Sequence, residues 1–317
     1  MNQITNTILM IRPVAFRMNE QTAVNNYFQE DLTIKNQEIN FRAQEEFDAF
    51  VEKLKKAGIN VIVVQDTKEP DTPDSIFPNN WISFHEDGTA VLYPMFAENR
   101  RLERSEAILK AVEKRGFHIE HIVDYTTAEE ENIFLEGTGS IILDRINRKA
   151  YCALSERADE ALFIEFCEDF EYTPVVFTAY QTVENERKPI YHTNVMMCLG
   201  ETFSIICLDS IDDKKEQKNV IAHLKEDKKE VISITELQMH HFAGNMLQVV
   251  NIQGEKYIVM STAAYESLTT KQLNRLKKHG ELIYSPLDTI ETCGGGSARC
   301  MMAEVFLPEV KGAFLEG

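Results

Sequence analysis

Short apolar runs along this chain come in pairs joined by polar turns, and each pair is followed by apolar residues at helical spacing and then by another short apolar run. Four of the pairs read as hairpins, over residues 81–93, 140–153, 195–207 and 246–260. Their turns, such as His85-Glu86-Asp87-Gly88 and Asn251-Ile252-Gln253-Gly254, carry Gly, Asn or Asp, which tolerate the backbone angles a tight reversal demands. Helical periodicity predicts helices over 98–115, 156–170, 212–228 and 270–278, the last opened by Thr269 and Gln272 at capping-box spacing. A further helix, 43–56, follows an N-terminal strand at 8–11. Strands at 61–64, 119–123, 174–177, 231–234 and 282–284 follow the helices, and the segment 300–306 is left to partner the first strand.

A unit of this kind cannot bury both of its faces alone. Five copies in a row predict an α/β fold in which the units close into a five-bladed α/β propeller, with strands from the two ends of the chain sharing one blade. An open α/β sheet with hairpin insertions uses the same elements and is the alternative. No Pro- or Ser-rich linker interrupts residues 1–317, which read as a single catalytic domain.

The segments just before the hairpins are where polar residues recur. They are Asp74-Ser-Ile-Phe-Pro-Asn79-Asn80, Glu136-Gly-Thr-Gly139, His192-Thr-Asn194 and Phe242-Ala-Gly-Asn245, whose markers Asn80, Gly139, Asn194 and Asn245 lie 59, 55 and 51 residues apart. Near the C-terminus, Cys293-Gly-Gly-Gly-Ser-Ala-Arg-Cys300 sets three glycines ahead of a cysteine at the edge of an apolar run. A thiol, a histidine and a carboxylate meeting at one point would suit covalent catalysis on an electrophilic carbon, because a thiolate attacks well and an imidazole moves protons. Taken singly, Cys300 reads equally as a buried core residue, His192 as a satisfied strand-edge histidine and Glu136 as a turn acid, although the last interrupts the apolar run 133–135.

Composition narrows the partners. A formal charge of −18, with acids spread through the helices, argues against nucleic acid and anionic membranes. No apolar run approaches bilayer length and no signal-peptide order opens the sequence, so a cytoplasmic protein is expected. Six cysteines without CxxC spacing suggest neither disulfides nor a zinc site. Gly137-Thr-Gly139 leads into a strand and lacks a third glycine, and no Lys-Ser/Thr follows Gly294–Gly296, so dinucleotide and P-loop sites are disfavoured.

In order and spacing, Asp74…Asn80, Glu136-Gly-Thr-Gly, His192-Thr-Asn194 and Gly294-Gly-Gly-Ser-Ala-Arg-Cys300 resemble the guanidino-group-modifying enzymes, which include arginine deiminases, dimethylarginine dimethylaminohydrolases, succinylarginine dihydrolases and amidinotransferases. The resemblance spans nearly the whole chain and is strongest to citrulline-utilisation, arginine deiminase-related proteins. It implies the same propeller, called a pentein, with Cys300 as nucleophile, His192 as general acid/base and Glu136 as the carboxylate that binds a substrate nitrogen. Asp74 matches an aspartate that holds the guanidinium in dimethylaminohydrolases. Asn80 and Asn194 stand where arginine deiminases carry aspartates, and amides in place of acids favour a neutral ureido group over a guanidinium cation.

Asn245 joins the substrate-binding set by its place in the repeat, and Arg12, at the end of an apolar strand, either binds a substrate carboxylate or pairs with an acid. Arg299 is expected in a structural ion pair, His240 and His241 at the pocket wall or behind it, and the polar stretch 181–188 as a candidate lid. The activity implied is hydrolysis of a guanidino or ureido C–N bond through an S-linked intermediate, without metal or organic cofactor. Amidino transfer to an amine, or a non-catalytic scaffold, is the alternative. The expected partner is the small substrate, with a homodimer left open.

Overall fold

The computed structural model describes residues 2–310. Five three-stranded sheets repeat one topology. In four of them a hairpin supplies two antiparallel strands, and a helical crossover returns the chain to lie parallel to the second. The hairpins pair Ile82–Phe84 with Thr89–Leu92, Ile141–Asp144 with Lys149–Leu154, Met197–Leu199 with Phe203–Ile206, and Leu247–Val250 with Lys256–Ser261. The parallel strands are His121–Asp124, Thr173–Thr178, Glu230–Ser233 and Glu281–Ser285. The remaining sheet joins distant parts of the chain: Thr7–Arg12 runs parallel to Asn60–Gln65 and antiparallel to Ala303–Glu304, with Ile8 opposite Glu304 and Leu9 opposite Ala303.

Local chemistry sets the helix limits. Asp159 accepts the N–H of Leu162 and Asp213 those of Lys215 and Glu216, which starts helices Glu160–Asp169 and Lys214–Glu226 at side-chain caps. The capping box of Thr269 and Gln272 forms as its spacing predicts. The helix expected over 98–115 is instead two, Glu98–Arg101 and Glu106–Lys114, restarted by Ser105. Between them the chain turns so that Arg100 reaches Glu103 at 2.9 Å and Arg104 reaches Glu129. Those inward-turned arginines replace the solvated face that helical periodicity implied.

The segment expected as a strand over 300–306 contributes only Ala303–Glu304 to the sheet, because Cys300 lies in the turn before it. The apolar sides of helices and sheets meet in four buried clusters, each of which takes strand residues from more than one sheet. Among the described residues no helix is long and apolar enough to cross a membrane, and the six cysteines are all buried and free.

Candidate active site

Each hairpin is entered through a single tight turn, and these turns hold the site. The turn Pro78–Asn80 precedes the first, Gly137–Ser140 the second and Thr193–Met196 the third. Glu136 stands at the head of the second turn and His192 at the head of the third. Gly139 is required by close approach, since a Cβ there would lie 2.4 Å from Asn80 Nδ2 and 2.9 Å from His192 Nδ1.

Cys300 is delivered by the glycine run. Helix Asp288–Gly294 has its first free N–H groups capped by Glu46, which accepts from Thr289 at 2.8 Å and Ile290 at 3.0 Å, and it ends at Gly295 with φ +59°. A side chain on Gly294 or Gly296 would strike the ring of Phe77. The chain then turns through Ser297, whose carbonyl accepts the Cys300 N–H.

Glu136, His192, Cys300, Asp74 and Asn80 are all buried, and all but Glu136 line one narrow cavity together with Arg100, Arg157 and Tyr191. Glu136 Oε2 lies 2.7 Å from His192 Nε2, and its other oxygen accepts the N–H of Phe96 at 2.9 Å. Burial lowers the imidazole to about 4, and the field of Arg157 and Arg100 adds to that effect against Glu136. Burial alone would raise Glu136, but Arg157, His192 and Arg100 together outweigh it and bring the carboxyl down to about 2. The pair is therefore a neutral imidazole donating from Nε2 to a carboxylate, which leaves Nδ1 as the proton-accepting nitrogen.

Asp74 Oδ2 accepts from Asn19 at 2.8 Å and Thr22 at 3.2 Å, whereas Oδ1 is buried without a partner. Burial raises this carboxyl, partly offset by Arg100 at 3.9 Å. Asn194 Oδ1 is likewise buried and unpartnered. Buried acceptors in that state carry a desolvation cost that an N–H donor removes.

The sequence reading did not find the two arginines. Arg100 binds Glu103 through two nitrogens, donates to Asn80 Oδ1 at 2.8 Å, and lies 4.0 Å from Glu136. Arg157 donates to Asn25 and to the Thr22 carbonyl, approaches Glu136 at 3.6 Å and lies over Tyr191. Both fall in charged stretches that resemble solvated helix faces, and the available signal was Asp159, an N-cap residue that starts the helix at Glu160 and leaves Arg157 in the turn before it.

Of the two roles expected for Arg12, the structure shows the ion pair: it is bound at two points by Asp48 at 2.8 Å and is not brought to the cavity. Other expectations require correction. Asn245 lies behind Cys300, with its amide already committed to protein groups. Neither His240 nor His241 lines the cavity: His240 stacks on Phe28 behind it, the second of its two expected places, and His241 is exposed. Residues 181–188 form part of a two-stranded ribbon, Tyr180–Val183 with Glu186–Pro189, pinned by Arg187 to Asp212 and Glu236. The cover over the cavity comes instead from residues 19–29, whose Asn26 and Gln29 bond the Gly294 carbonyl. Arg299 does form the expected ion pair, with Glu304 at 2.9 Å. Among the described residues no cluster of three or more His, Cys, Asp or Glu side chains could hold a metal ion.

The sequence profile of the family described as N,N dimethylarginine dimethylhydrolase, eukaryotic, matches residues 12–307, and the chain belongs to that family of guanidino-modifying enzymes. None of the curated proteins matches it in sequence. Among solved structures it is similar to apo ArgZ, an arginine dihydrolase from the ornithine–ammonia cycle of cyanobacteria, at 20% identity and a TM-score of 0.72 over 96% of this chain. That match spans only 41% of the ArgZ chain. The N-terminal domain of ArgZ bound to product matches at 20% identity and a TM-score of 0.68, over 95% of this chain and 99% of that domain. DDAH from Pseudomonas aeruginosa, complexed with citrulline, matches at 13% identity and a TM-score of 0.63, over 95% of this chain and 99% of its own. The shared fold is the pentein fold, here a mixed α/β arrangement of small sheets.

Proposed function

We propose that this protein is a thiol-dependent hydrolase of the C–N bond in a guanidino or ureido head group of an arginine- or citrulline-like molecule, built as a five-bladed propeller from residues 1–317. The observation that carries the reading is the meeting of Cys300, the His192–Glu136 pair and the unpartnered Asp74 oxygen at one buried cavity. Two relatives lend support: the ArgZ N-terminal domain has been captured covalently bound to a reaction intermediate, and the Pseudomonas DDAH binds citrulline.

In this mechanism Cys300 gives its proton to Nδ1 of His192 and its sulfur attacks the central carbon of the head group. Glu136 holds the imidazole through Nε2 and stabilises the imidazolium while it lasts. The imidazolium protonates the leaving nitrogen, which departs as ammonia or an amine, and the carbon stays bound to sulfur. His192 then takes a proton from water as the water attacks, and the collapse that frees the product returns that proton to the Cys300 sulfur. Asp74 Oδ1 and Asn194 Oδ1 accept N–H groups of the substrate. Arg100 is a fixed cation at the same cavity, and with Asn80 beside it the site accommodates an uncharged ureido head as well as a guanidinium.

Release of ammonia, or of methylamine or dimethylamine from the methylarginines, on incubation with citrulline, arginine, agmatine, methylarginines and succinylarginine, measured for wild type and Cys300→Ser, tests the reading. One substrate should release its nitrogen, and the substitution should lower the rate by at least about 10³-fold. Neither ammonia nor an alkylamine from any of the compounds would overturn it. An adduct on Cys300 that yields ammonia without water-dependent turnover would assign the second half-reaction to an amine acceptor.

A further inference from the structure

The sulfur of Cys300 faces two amide donors, Asn194 Nδ2 at 3.4 Å and Asn245 Nδ2 at 3.2 Å. Both amides are fully buried. The orientation of Asn245 is fixed by its neighbours: Oδ1 accepts the N–H of Arg299 at 2.9 Å, so the nitrogen is the end left for the sulfur, and it also donates to the Asn194 carbonyl at 3.0 Å. The Arg299 guanidinium, one residue from the nucleophile, is taken up by Glu304 and the Met302 carbonyl. A neutral thiol is a weak acceptor and gains little from two N–H groups, whereas a thiolate is a strong one.

We propose that Asn245 and Asn194 form an uncharged cradle that stabilises the sulfur of Cys300 as an anion, with Asn245 as the positioning residue that ties this cradle to the backbone of the nucleophile turn. The proton lost by the sulfur passes to His192 during turnover and to solvent in a titration. The cradle gives Asn245 a role distinct from the binding of substrate, and the Nδ2 end of Asn194 a role separate from that of its Oδ1. It also separates two jobs at the site, since the anion is stabilised by neutral dipoles while the charged groups remain free for the head group and its leaving nitrogen.

The inference rests on the proposed hydrolase only in taking Cys300 as the reacting sulfur. Its test is the ultraviolet absorbance of the thiolate against pH, taken as the difference between each protein and its Cys300→Ser counterpart. Asn245→Ala should displace the curve to higher pH by about one unit, the size expected from losing one hydrogen bond to a charged group. Asn245→Asp should displace it further, because an aspartate oxygen still accepts from Arg299 N–H but sets a second acceptor, not a donor, against the sulfur. Curves that superimpose for all three proteins would overturn the cradle. So would displacement by alanine without displacement by aspartate, which would mark loss of the turn's anchor as the cause. Displaced curves without ammonia or alkylamine release from any substrate would remove the hydrolase reading and leave the cradle standing.

Discussion

Two buried acids, Asp144 and Asp74, sit in similar seclusion and differ in how their oxygens are used. Asp144 lies at the end of strand Ile141–Asp144, where Lys229 meets it at 3.0 Å and both side chains are fully buried. The lysine also donates to the carbonyls of Gly200 and Glu201, and the carboxylate accepts from Asn147 through both oxygens. That network closes on itself. Asp74 has one oxygen bonded to Asn19 and Thr22 and the other unpartnered, with the nearest cation, Arg100, engaged by Glu103. On the proposed function the difference separates a network that holds the fold from one that a substrate N–H completes, because such a donor removes the desolvation cost of an unmet buried acceptor.

Substitution at the two acids should therefore move different quantities. Asp144→Ala leaves Lys229 buried without its counter-ion and should cost about 3–5 kcal/mol, read as a lowered denaturation midpoint, with kcat per folded molecule unchanged. Asp74→Asn should lower kcat/KM by about 10²-fold, chiefly through KM, while the midpoint stays or rises, since the isosteric amide removes a buried charge. A large stability loss at Asp74 with KM intact would erase the distinction.

Acid sharpens the same contrast. His192 takes a proton near pH 6.5 in an unfolded chain but only near 4 when folded, so the unfolded state binds more protons in between and stability falls as pH drops through that window, by about 3 kcal/mol. Glu136 adds a second loss from about pH 4.5 toward 2. Denaturation midpoints across pH should show the first loss diminish in His192→Gln, the remainder coming from His85 and His240, whose imidazoles burial also lowers. The smallest effect belongs to the surface: Arg12→Ala should cost less than about 1 kcal/mol and leave substrate kinetics unchanged, because its pair with Asp48 is partly exposed.

Much of the fold was legible because its periods are local. Alternating runs and Gly/Asn turns marked the hairpins to within a few residues, and Thr269 with Gln272 marked a helix start. Glu136 was legible because an acid breaks the apolar approach to a strand, and His192 because it heads one of the polar segments that recur just before the hairpins. Arg100, Arg157 and the covering residues 19–29 were not, because their roles depend on which side of a short turn a side chain takes. That choice is made by distant partners such as Glu103 and Asn25, and no periodicity records it. The strand expected from residue 300 failed for a related reason: the glycines ahead of Cys300 allow a turn that lifts the sulfur out of the ladder and into the cavity.

The sheet that joins Thr7–Arg12 to Ala303–Glu304 has a consequence for the chain during synthesis. A nascent polypeptide released as far as residue 290 already contains Asp74, Glu136 and His192 but has neither the sulfur nor the strand that covers its first sheet. On the proposed mechanism such a chain is chemically silent, and the step that completes the first sheet, the pairing of Ala303–Glu304 with Thr7–Arg12, is also the one that brings the Cys300 sulfur to the cavity.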